Sequence, residues 1–305
     1  MGAIFLGTPA AAVPSLAALA QADEVDLVVT MPDRPKGRSQ TPVAPPVKTA
    51  ALAFGFPVAQ PKDAAELFEV ITASRANVGL VVAYGRLLAP ELLDGLPQGF
   101  VNVHFSLLPR WRGASPVERA IAHGDTMTGV TLMKIDEGLD TGPVIAERKT
   151  AITDDDTGGS LTARLSHIGA ALVDDTLPEY LSGTRRPVPQ LSTGVSHASK
   201  LSKAEAQVTV DMSMDTVHRM VRAFTPRPGA WVATDAGSLR ILGSRINGSS
   251  GHQAGVISLA GKEVILGCSD GGLTLVTVQP QGKQAMPAEA WMNGRRGESV
   301  RLTNV

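Results

Sequence analysis

With 305 residues, the chain is long enough for two domains and a sizeable hydrophobic core. Its 43% hydrophobic and 19% charged residues are typical of a globular protein and exclude an intrinsically disordered one. The formal net charge of −1 excludes a strong overall attraction to nucleic acid, yet residues 1–199 carry a net −5 and residues 200–305 a net +4. The second half is therefore the better candidate for contact with a polyanion.

The N-terminal residues and the cysteine content predict a cytoplasmic protein. Thr8, Pro9 and Pro14 interrupt the first apolar run and no basic leader precedes it, so we expect neither a signal peptide nor a membrane span. Cys268 is the sole cysteine, so no internal disulfide can form and nothing ties the fold to an oxidising compartment. We expect its thiol to be buried.

The first two hundred residues alternate short β-rich apolar runs with longer helical patterns, which predicts βαβ units around a mainly parallel sheet. The predicted strands lie near residues 2–7, 25–31, 78–84, 100–105, 128–135 and 143–149. The predicted helices lie near residues 11–21, 46–54, 63–74, 115–123 and 158–182. We therefore predict a Rossmann-like α/β domain over residues 1–185, with helices on both faces of the sheet.

The remaining residues have a different pattern. Residues 186–206 are rich in Pro, Ser, Thr and Gly without apolar periodicity, which predicts a linker. A helix is predicted near 213–224, and five short alternating runs follow it: WVAT, SLRILGS, AGVISLA, EVILGC and GLTLVTVQP. Short strands separated by glycines predict a small β-barrel of the OB-like type over residues 207–305.

The first turn of the predicted sheet, FLGTPAAAV, holds one glycine, Gly7. A dinucleotide-binding turn needs three glycines so that the backbone can approach a pyrophosphate, and Pro9 fixes φ where that turn must bend. The chain also lacks the Gly-Lys-Ser/Thr sequence of a P-loop. We therefore expect no nicotinamide or flavin cofactor, and any cosubstrate would bind elsewhere.

The predicted strand at residues 100–105 carries two polar side chains, within the stretch GFVNVHFSLLP. Asn102 and His104 are two residues apart and therefore project from the same face of the strand. Parallel strands are normally apolar on both faces, and an unpaired buried polar group costs ~1–3 kcal/mol, so the pair requires partners or a ligand. Ligands of open α/β sheets bind beyond the carboxyl ends of the strands, where this strand delivers both residues.

Asp140 is a third polar candidate, in the tight connection KIDEGLDTGPVI between the next two predicted strands. A carboxylate held against an imidazole orients the ring and favours its protonated form. An amide, an imidazolium and a carboxylate together can stabilise the oxyanion of a tetrahedral intermediate and accept the proton of a nucleophile, directly or through water.

Each of these residues also has a structural interpretation. Asn102 could satisfy backbone groups at a strand end, His104 could be a hydrogen-bonded core histidine, and Asp140 or Asp136 could be a turn residue. A zinc site would need more ligands than one His and Asp pair, and a Ser-His-Asp triad would need Ser106 on a nucleophile elbow. The pattern alone leaves the catalytic and structural interpretations open and predicts no metal.

Two longer motifs, NVHFSLLPRWRGASPVERAI and GVTLMKIDEGLDTGPVI, resemble the catalytic core of the 10-formyltetrahydrofolate-dependent formyltransferases. The resemblance continues along the chain through FLGTP, PDRPKGRSQTPVAPPVK, VVAYGRLL, VRAFTPRPGAW and VQPQGKQAM. The chain resembles in particular the family members that formylate methionine esterified to initiator tRNA, for translation initiation. It implies 10-formyltetrahydrofolate as a cosubstrate and methionyl-initiator tRNA as the partner.

The resemblance also assigns roles to individual residues. It places the catalytic roles on Asn102, His104 and Asp140. The residues it assigns to the folate pocket are Ser106, Leu107, Leu108 and Pro109, with the backbone around Ala83, Tyr84 and Gly85 lining the pterin site.

Contact with tRNA is implied for the loop that holds Arg34, Lys36 and Arg38, which corresponds to one near the acceptor end. Three cations in five residues would equally suit a solvated turn. Candidate phosphate contacts in the basic second half are Arg219, Arg222, Arg227, Arg295, Arg296 and Arg301. Aromatic residues make up only 4% of the chain, which limits base stacking to a few places such as Trp111 or Trp231.

Two positions depart from the family pattern, and three other functions stay open. Ala10 stands where an acidic residue often follows GTP, and AQVTVD at 206–211 lacks a common Asp-Trp pair, which affects local packing and RNA contact but not the trio. The alternatives are a formyltransferase acting on a small amine, a formyltetrahydrofolate hydrolase and a non-catalytic tRNA-binding protein. The basic second half argues against a formyltransferase acting on a small amine. The placing of Asn102, His104 and Asp140 together argues against a non-catalytic tRNA-binding protein. We expect a monomer with no membrane contact.

Overall fold

The computed structural model describes residues 2–22, 24–35 and 40–303. Two compact units emerge from the contacts within the chain. The first comprises the described residues of 1–116, 127–151 and 162–198, and the second those of 117–126, 152–161 and 199–305.

A seven-stranded sheet forms the centre of the first unit. Its strands in chain order are β1 (Ala3–Gly7), β2 (Val25–Val29), β5 (Val58–Ala59), β6 (Val78–Val82), β7 (Phe100–His104), β9 (Met127–Lys134) and β10 (Val144–Ala151). Their spatial order is β10-β9-β7-β6-β1-β2-β5. The five strands from β7 to β5 are parallel, whereas β9 runs antiparallel to both β7 and β10. The sheet is therefore mixed and mainly parallel, as predicted.

Six helices follow the strands of this sheet in the sequence: α1 (Val13–Gln21), α2 (Pro46–Ala53), α3 (Ala64–Thr72), α4 (Pro90–Leu93), α5 (Pro116–His123) and α6 (Gly158–Leu181). Asp63 begins α3 by accepting the Glu66 N–H through its side chain, which satisfies one of the free donors of the first turn. The helix then buries Leu67 and Ile71 in a core cluster with Ile4 and Phe100 of the sheet. Their spacing of four residues places both side chains on one helical face.

Two small sheets complete the first unit. One joins β3 (Arg34–Pro35) to β4 (Pro42–Val43), and the other joins β8 (Arg112–Gly113) to β11 (His197–Ala198) in parallel. Because β11 belongs to the stretch predicted as a linker, this part of that stretch is paired with the loop that follows β7.

The second unit contains an antiparallel β-barrel. The helix before it, α7 (Met214–Phe224), is capped by Ser213 and buries Val217, Met220, Val221 and Phe224 along one face. The barrel strands are β12 (Ala230–Thr234), β13 (Gly237–Ser249), β14 (Val256–Ala260), β15 (Glu263–Cys268), β16 (Gly271–Pro280), β17 (Met286–Pro287) and β18 (Val300–Arg301), and helix α8 (Ala288–Asn293) precedes β18.

The barrel is nearly closed. Its strands run in the order β12-β13-β16-β15-β14-β18, with β17 paired to β16, and a bridge between Thr234 and Leu302 joins the first strand to the last. The predicted barrel is thereby confirmed, with two short strands added. Cys268 is buried at the end of β15, and this burial raises the pKa of its thiol to about 12.

Candidate active site

The residues predicted to be catalytic meet at the carboxyl end of β7. Asn102 and His104 lie on this strand two residues apart, opposite Met133 and Thr131 of β9. Asp140 lies in the connection between β9 and β10 and reaches the same place. The sheet thus gathers the trio at the edge where open α/β folds bind ligands.

The two ring nitrogens of His104 have different surroundings. Its Nε2 lies 2.9 Å from the Trp111 carbonyl, which can only accept, so Nε2 carries a proton in either charge state. Its Nδ1 faces Asp140 Oδ2 at 3.6 Å, which is longer than a hydrogen bond. Only 5% of His104 is exposed. Nδ1 is therefore the ring nitrogen that can exchange a proton or bind a ligand.

Asn102 differs from His104 because its carboxamide makes no hydrogen bond to the residues that the structure describes, and it is half-buried. A ligand that covered this amide without offering an acceptor would leave it unpaired, at a cost of ~1–3 kcal/mol. The side chain is thus available to bind a carbonyl oxygen at this edge of the sheet.

Asp140 is held by a network of hydrogen bonds whose other members lie elsewhere in the sequence. Its Oδ2 accepts the Gly113 N–H at 2.7 Å. Gln190 donates its amide to the carbonyls of Asp140 and Gly142 at 2.9 and 2.8 Å, and its Oε1 accepts the Arg112 guanidinium at 2.7 Å. Gln190 therefore clamps the turn that presents the carboxylate.

Three segments of the site contain a non-glycine residue with left-handed backbone. Ala83, Trp111 and Asp140 have φ angles of 47°, 63° and 53°. Such a conformation costs of order 1–3 kcal/mol in each residue and concentrates at functional sites, where the surrounding structure maintains it. At Trp111 it turns the carbonyl toward His104, and at Asp140 the side chain lies against Gly113.

The predicted folate segment, residues 106–109, forms a hydrogen-bonded loop after β7. The Ser106 hydroxyl is buried and donates to the Arg110 carbonyl at 2.6 Å. Thr131 donates to the Ser106 carbonyl and accepts the Leu108 N–H. Leu107 and Pro109 are half-buried and Leu108 is almost fully buried. Ser106 therefore shapes this loop through its hydroxyl, and the half-buried Leu107 and Pro109 present the accessible surface.

The second predicted folate segment, Ala83 to Gly85, follows β6 immediately. Tyr84 is buried in the core of the first unit, whereas Ala83 and Gly85 are exposed. Burial also raises the pKa of the Tyr84 hydroxyl. Thr8, after β1, donates to the Tyr84 carbonyl at 2.6 Å. The Tyr84 ring thus anchors a backbone whose neighbouring residues face outward at the same edge.

Of the predicted tRNA loop, Arg34 is exposed in β3, while Lys36 and Arg38 lie outside the described residues. The base of this loop is firmly anchored. Lys48 Nζ donates to both oxygens of Asp33 at 2.9 Å and to Gln60 at 2.7 Å, and the Lys48 bonds hold the pKa of Asp33 below its usual range. The chain is thereby fixed at the residue before Arg34.

The candidate cations of the second unit fall into two groups. Arg222 donates to the Thr153 carbonyl at 2.8 Å and Arg219 pairs with Asp215 at 3.3 Å, so both have partners. The others are Arg227, Arg296 and Arg301, which are exposed, and Arg295, which is half-buried.

Both predicted stacking residues already contact a cation. The Arg110 guanidinium lies 4.6 Å from the centre of the Trp111 ring. The Lys203 ammonium lies 5.4 Å from the centre of the Trp231 ring.

Sequence reasoning missed Gln190 and Thr131, which position the site without belonging to it. Gln190 lies in a proline-rich stretch, where VPQ gives no periodic signal, and Thr131 occupies an ordinary place in a β-branched strand. Neither has a local pattern that indicates its partner, because the contacts join residues 25 to 78 positions apart.

Replacing Gln190 by Ala should lower kcat by about tenfold, since it removes the bonds that hold the Asp140 turn to Arg112. The melting temperature and the KM for the acceptor substrate should change little. A variant with unchanged kcat and a lower melting temperature would show that the clamp is purely structural.

The described residues hold neither a cluster of metal ligands nor a membrane-spanning helix. Within the described ranges, His, Cys, Asp and Glu side chains form no group of three that could hold a metal ion. None of the helices in this part of the chain combines the length and the apolar character that crossing a membrane requires.

The site and the two-part fold define a class of protein. Residues 3–177 match the family described as Formyl transferase, and residues 200–296 match its C-terminal domain. The chain therefore belongs to the formyl transferase family, and the resemblance found in the sequence is confirmed.

Within this family, similar relatives bear one name. The chain is 43% identical to the methionyl-tRNA formyltransferase of Myxococcus xanthus, covering 96% of this chain and 95% of the relative. It is 41% identical to the methionyl-tRNA formyltransferase of Neisseria gonorrhoeae, covering 98% and 99%.

Solved structures support the same fold at lower identity. HypX from Aquifex aeolicus matches with a TM-score of 0.70 at 17% identity, covering 97% of this chain and 47% of that longer one. The sugar 3N-formyl transferase WlaRD, solved with dTDP and 5-N-formyl-THF, matches with a TM-score of 0.68 at 18% identity, covering 93% of this chain and 99% of that one.

Proposed function

We propose that the protein transfers the formyl group of 10-formyltetrahydrofolate to the α-amino group of methionine esterified to initiator tRNA. The choice of acceptor rests on relatives that match nearly the whole chain at 41–43% identity. The observation that supports the chemistry is the placing of Asn102, His104 and Asp140 together at the carboxyl end of β7, with the Asn102 amide free for a ligand.

The reaction exchanges one carbon–nitrogen bond for another. The amine nitrogen bonds to the formyl carbon, negative charge develops on the formyl oxygen, and the bond to the folate nitrogen breaks. The amine loses one proton and the folate nitrogen gains one, so no net proton is released. The protein must therefore stabilise an oxyanion and move one proton.

Asn102 binds the oxyanion. Its amide has no partner among the described residues, so a formyl oxygen would satisfy it without breaking a protein hydrogen bond. The half-buried position removes part of the competing water, which strengthens the bond as charge develops.

His104 and Asp140 handle the proton. Because Nε2 is committed to the Trp111 carbonyl, Nδ1 carries out the chemistry. Unprotonated, it accepts the proton of the attacking amine. Protonated, it donates to the oxyanion or the leaving nitrogen while Asp140 supplies the counter-charge at 3.6 Å.

The folate lies against the two segments at the carboxyl ends of β6 and β7. Ala83 and Gly85 expose backbone beside the buried Tyr84, and Leu107 and Pro109 supply an apolar wall. The protein acts as a cytoplasmic monomer.

Removing the charges of Arg34, Lys36 and Arg38 should raise the KM for tRNA and leave kcat at saturation nearly unchanged. For each phosphate that these cations neutralise, the slope of log affinity against log salt should become shallower by about 0.7–0.9. Arg75→Ala is the matched control, since this exposed cation precedes β6 at the opposite edge of the sheet. If the kinetics with tRNA were unchanged, the loop would be a solvated turn without contact to tRNA.

The proposed activity is tested by acceptor choice. The protein is incubated with 10-formyltetrahydrofolate labelled in the formyl group and, in separate reactions, with methionyl-initiator tRNA, an amino-sugar nucleotide, glycinamide ribotide or no acceptor. We expect label on the amino group of the tRNA-bound methionine. Label on the small amines alone would contradict the proposal, label in formate without an acceptor would indicate a hydrolase, and no turnover would indicate a binding protein.

A further inference from the structure

The barrel unit contains a cavity of about 480 Å³ that is built from its own residues. Its walls are the turn between β12 and β13, the end of β16 with the loop after it, and one side of α8. The volume lies within the range of roughly 300–1,000 Å³ typical of small-ligand pockets.

The charges that line this cavity are all positive. Of the residues that the structure describes, Lys283 and Arg295 line it and no aspartate or glutamate does. Among the described residues, neither side chain has an ion pair or a hydrogen bond. Two cations without a hydrogen-bonded or anionic partner in a concave site are typical of an anion-binding site.

A second cavity of the same unit, about 610 Å³, lacks this property. It is lined by four aspartates, and its three arginines already have partners: Arg219 pairs with Asp215 at 3.3 Å, Arg222 donates to the Thr153 carbonyl at 2.8 Å, and Arg245 pairs with Glu263. The comparison singles out the smaller cavity as the one with unbalanced positive charge.

The smaller cavity also contains an aromatic ring. Helix α8 buries Ala288 and Met292 and leaves Trp291 half-buried on the cavity side. The Arg295 guanidinium, four residues later, lies 6.0 Å from the centre of the Trp291 ring. An indole ring flanked by a guanidinium is the combination that holds a nucleobase by stacking and its phosphate by charge.

We propose that this cavity binds a single unstacked nucleotide, with its base on Trp291 and its phosphate on Lys283 and Arg295. Gln281, on the cavity wall, offers an amide for the edge of the base. An unpaired nucleotide of RNA and a free mononucleotide present this same chemistry. The assignment to an unpaired nucleotide of the tRNA substrate rests on the proposed function.

The test measures the affinity of the full-length protein for a fluorescent single-stranded octaribonucleotide by anisotropy. Trp291→Ala should weaken binding by roughly 5- to 100-fold, the range expected for one stacked base. Trp291→Phe should restore most of the affinity, because it keeps an aromatic face. Lys283→Ala and Arg295→Ala should weaken binding and flatten its salt dependence, whereas Lys262→Ala, an exposed cation outside the cavity, should not.

A second measurement locates the contact. A photo-crosslinking 4-thiouridine in the same oligonucleotide should attach to the peptide that contains Trp291. Competition by AMP then distinguishes a site for an unpaired RNA nucleotide from a site for a free mononucleotide. Displacement by AMP at similar concentration would assign the cavity to free nucleotides, and displacement only by a longer strand would assign it to RNA. The proposal would be overturned if Trp291→Ala bound the oligonucleotide as tightly as the wild type and the crosslinks lay elsewhere. It would also be overturned if duplex RNA competed as well as single-stranded RNA. Formyl transfer is assayed in parallel, so failure of the cavity and failure of the proposed function are distinguishable.

Discussion

Replacing Asn102 by Ala should lower kcat for formyl transfer by about 10²–10³-fold, which corresponds to roughly 2.7–4 kcal/mol of transition-state stabilisation. The amide has no hydrogen-bond partner among the described residues, so its removal breaks no internal contact there, and the melting temperature should stay close to that of the wild type. The affinity for tRNA should also stay unchanged. Single-turnover rates at saturating substrates measure the effect.

The matched control for Asn102→Ala is Asn77→Ala. Asn77 is also half-buried and immediately precedes β6, so it lies at the amino edge of the sheet, away from the site. Its replacement should leave kcat nearly unchanged. If Asn102→Ala retained kcat, or showed a fall in tRNA affinity in proportion to activity, the oxyanion role of Asn102 would be wrong.

Replacing Asp140 by Asn should lower kcat by about 10²–10³-fold while keeping the fold. Asparagine tolerates the left-handed backbone at this position, where φ is 53°, and its side-chain oxygen can still accept the Gly113 N–H. The variant therefore removes the charge that faces His104 Nδ1 and little else. The expected loss lies within the range for positioned acid and base groups.

The control for Asp140→Asn lies in the same connection. Asp136 accepts the hydroxyl of Thr141 at 2.6 Å and has no contact with His104, so Asp136→Asn should keep kcat within a few-fold. Equal losses in the two variants would attribute the effect to the shape of the connection. A normal kcat for Asp140→Asn would contradict a role for its charge.

The sequence predicted the larger elements of the fold and missed the short ones, for a physical reason. The runs that became β1, β6 and β7 are buried strands of five residues, long enough to show an apolar pattern and a turn at each end. Strands β5, β17 and β18 contain two residues each, which cannot display any periodicity. Their positions depend on pairing with strands that are distant in the sequence.

The sequence likewise predicted some features of the candidate site and not others. The period-two spacing of Asn102 and His104 indicated a shared face, and the structure places Asp140 against His104. The sequence could not indicate the carbonyl of Trp111, because its orientation depends on a left-handed φ of 63°. The Gln190 clamp was equally hidden, since it joins a proline-rich stretch to residues 48 to 78 positions earlier.

The structure bears on how the roles of Asn102 and His104 differ, which the residue types alone did not specify. His104 was expected to donate to the oxyanion together with Asn102. The geometry commits Nε2 to a backbone carbonyl and leaves Nδ1 between the ligand edge and Asp140. In the proposed mechanism, Asn102 therefore donates to the oxyanion throughout, and His104 Nδ1 carries the proton and donates only while it is protonated.

The most direct test of this account is a crystal structure of the protein with a stable analogue of 10-formyltetrahydrofolate that carries the formyl group on the same nitrogen. We predict that the formyl oxygen lies about 2.7–3.1 Å from Asn102 Nδ2, with His104 Nδ1 turned toward the formyl group and the pterin against residues 83–85. A folate bound elsewhere, or a formyl group out of reach of both Asn102 and His104, would contradict the account.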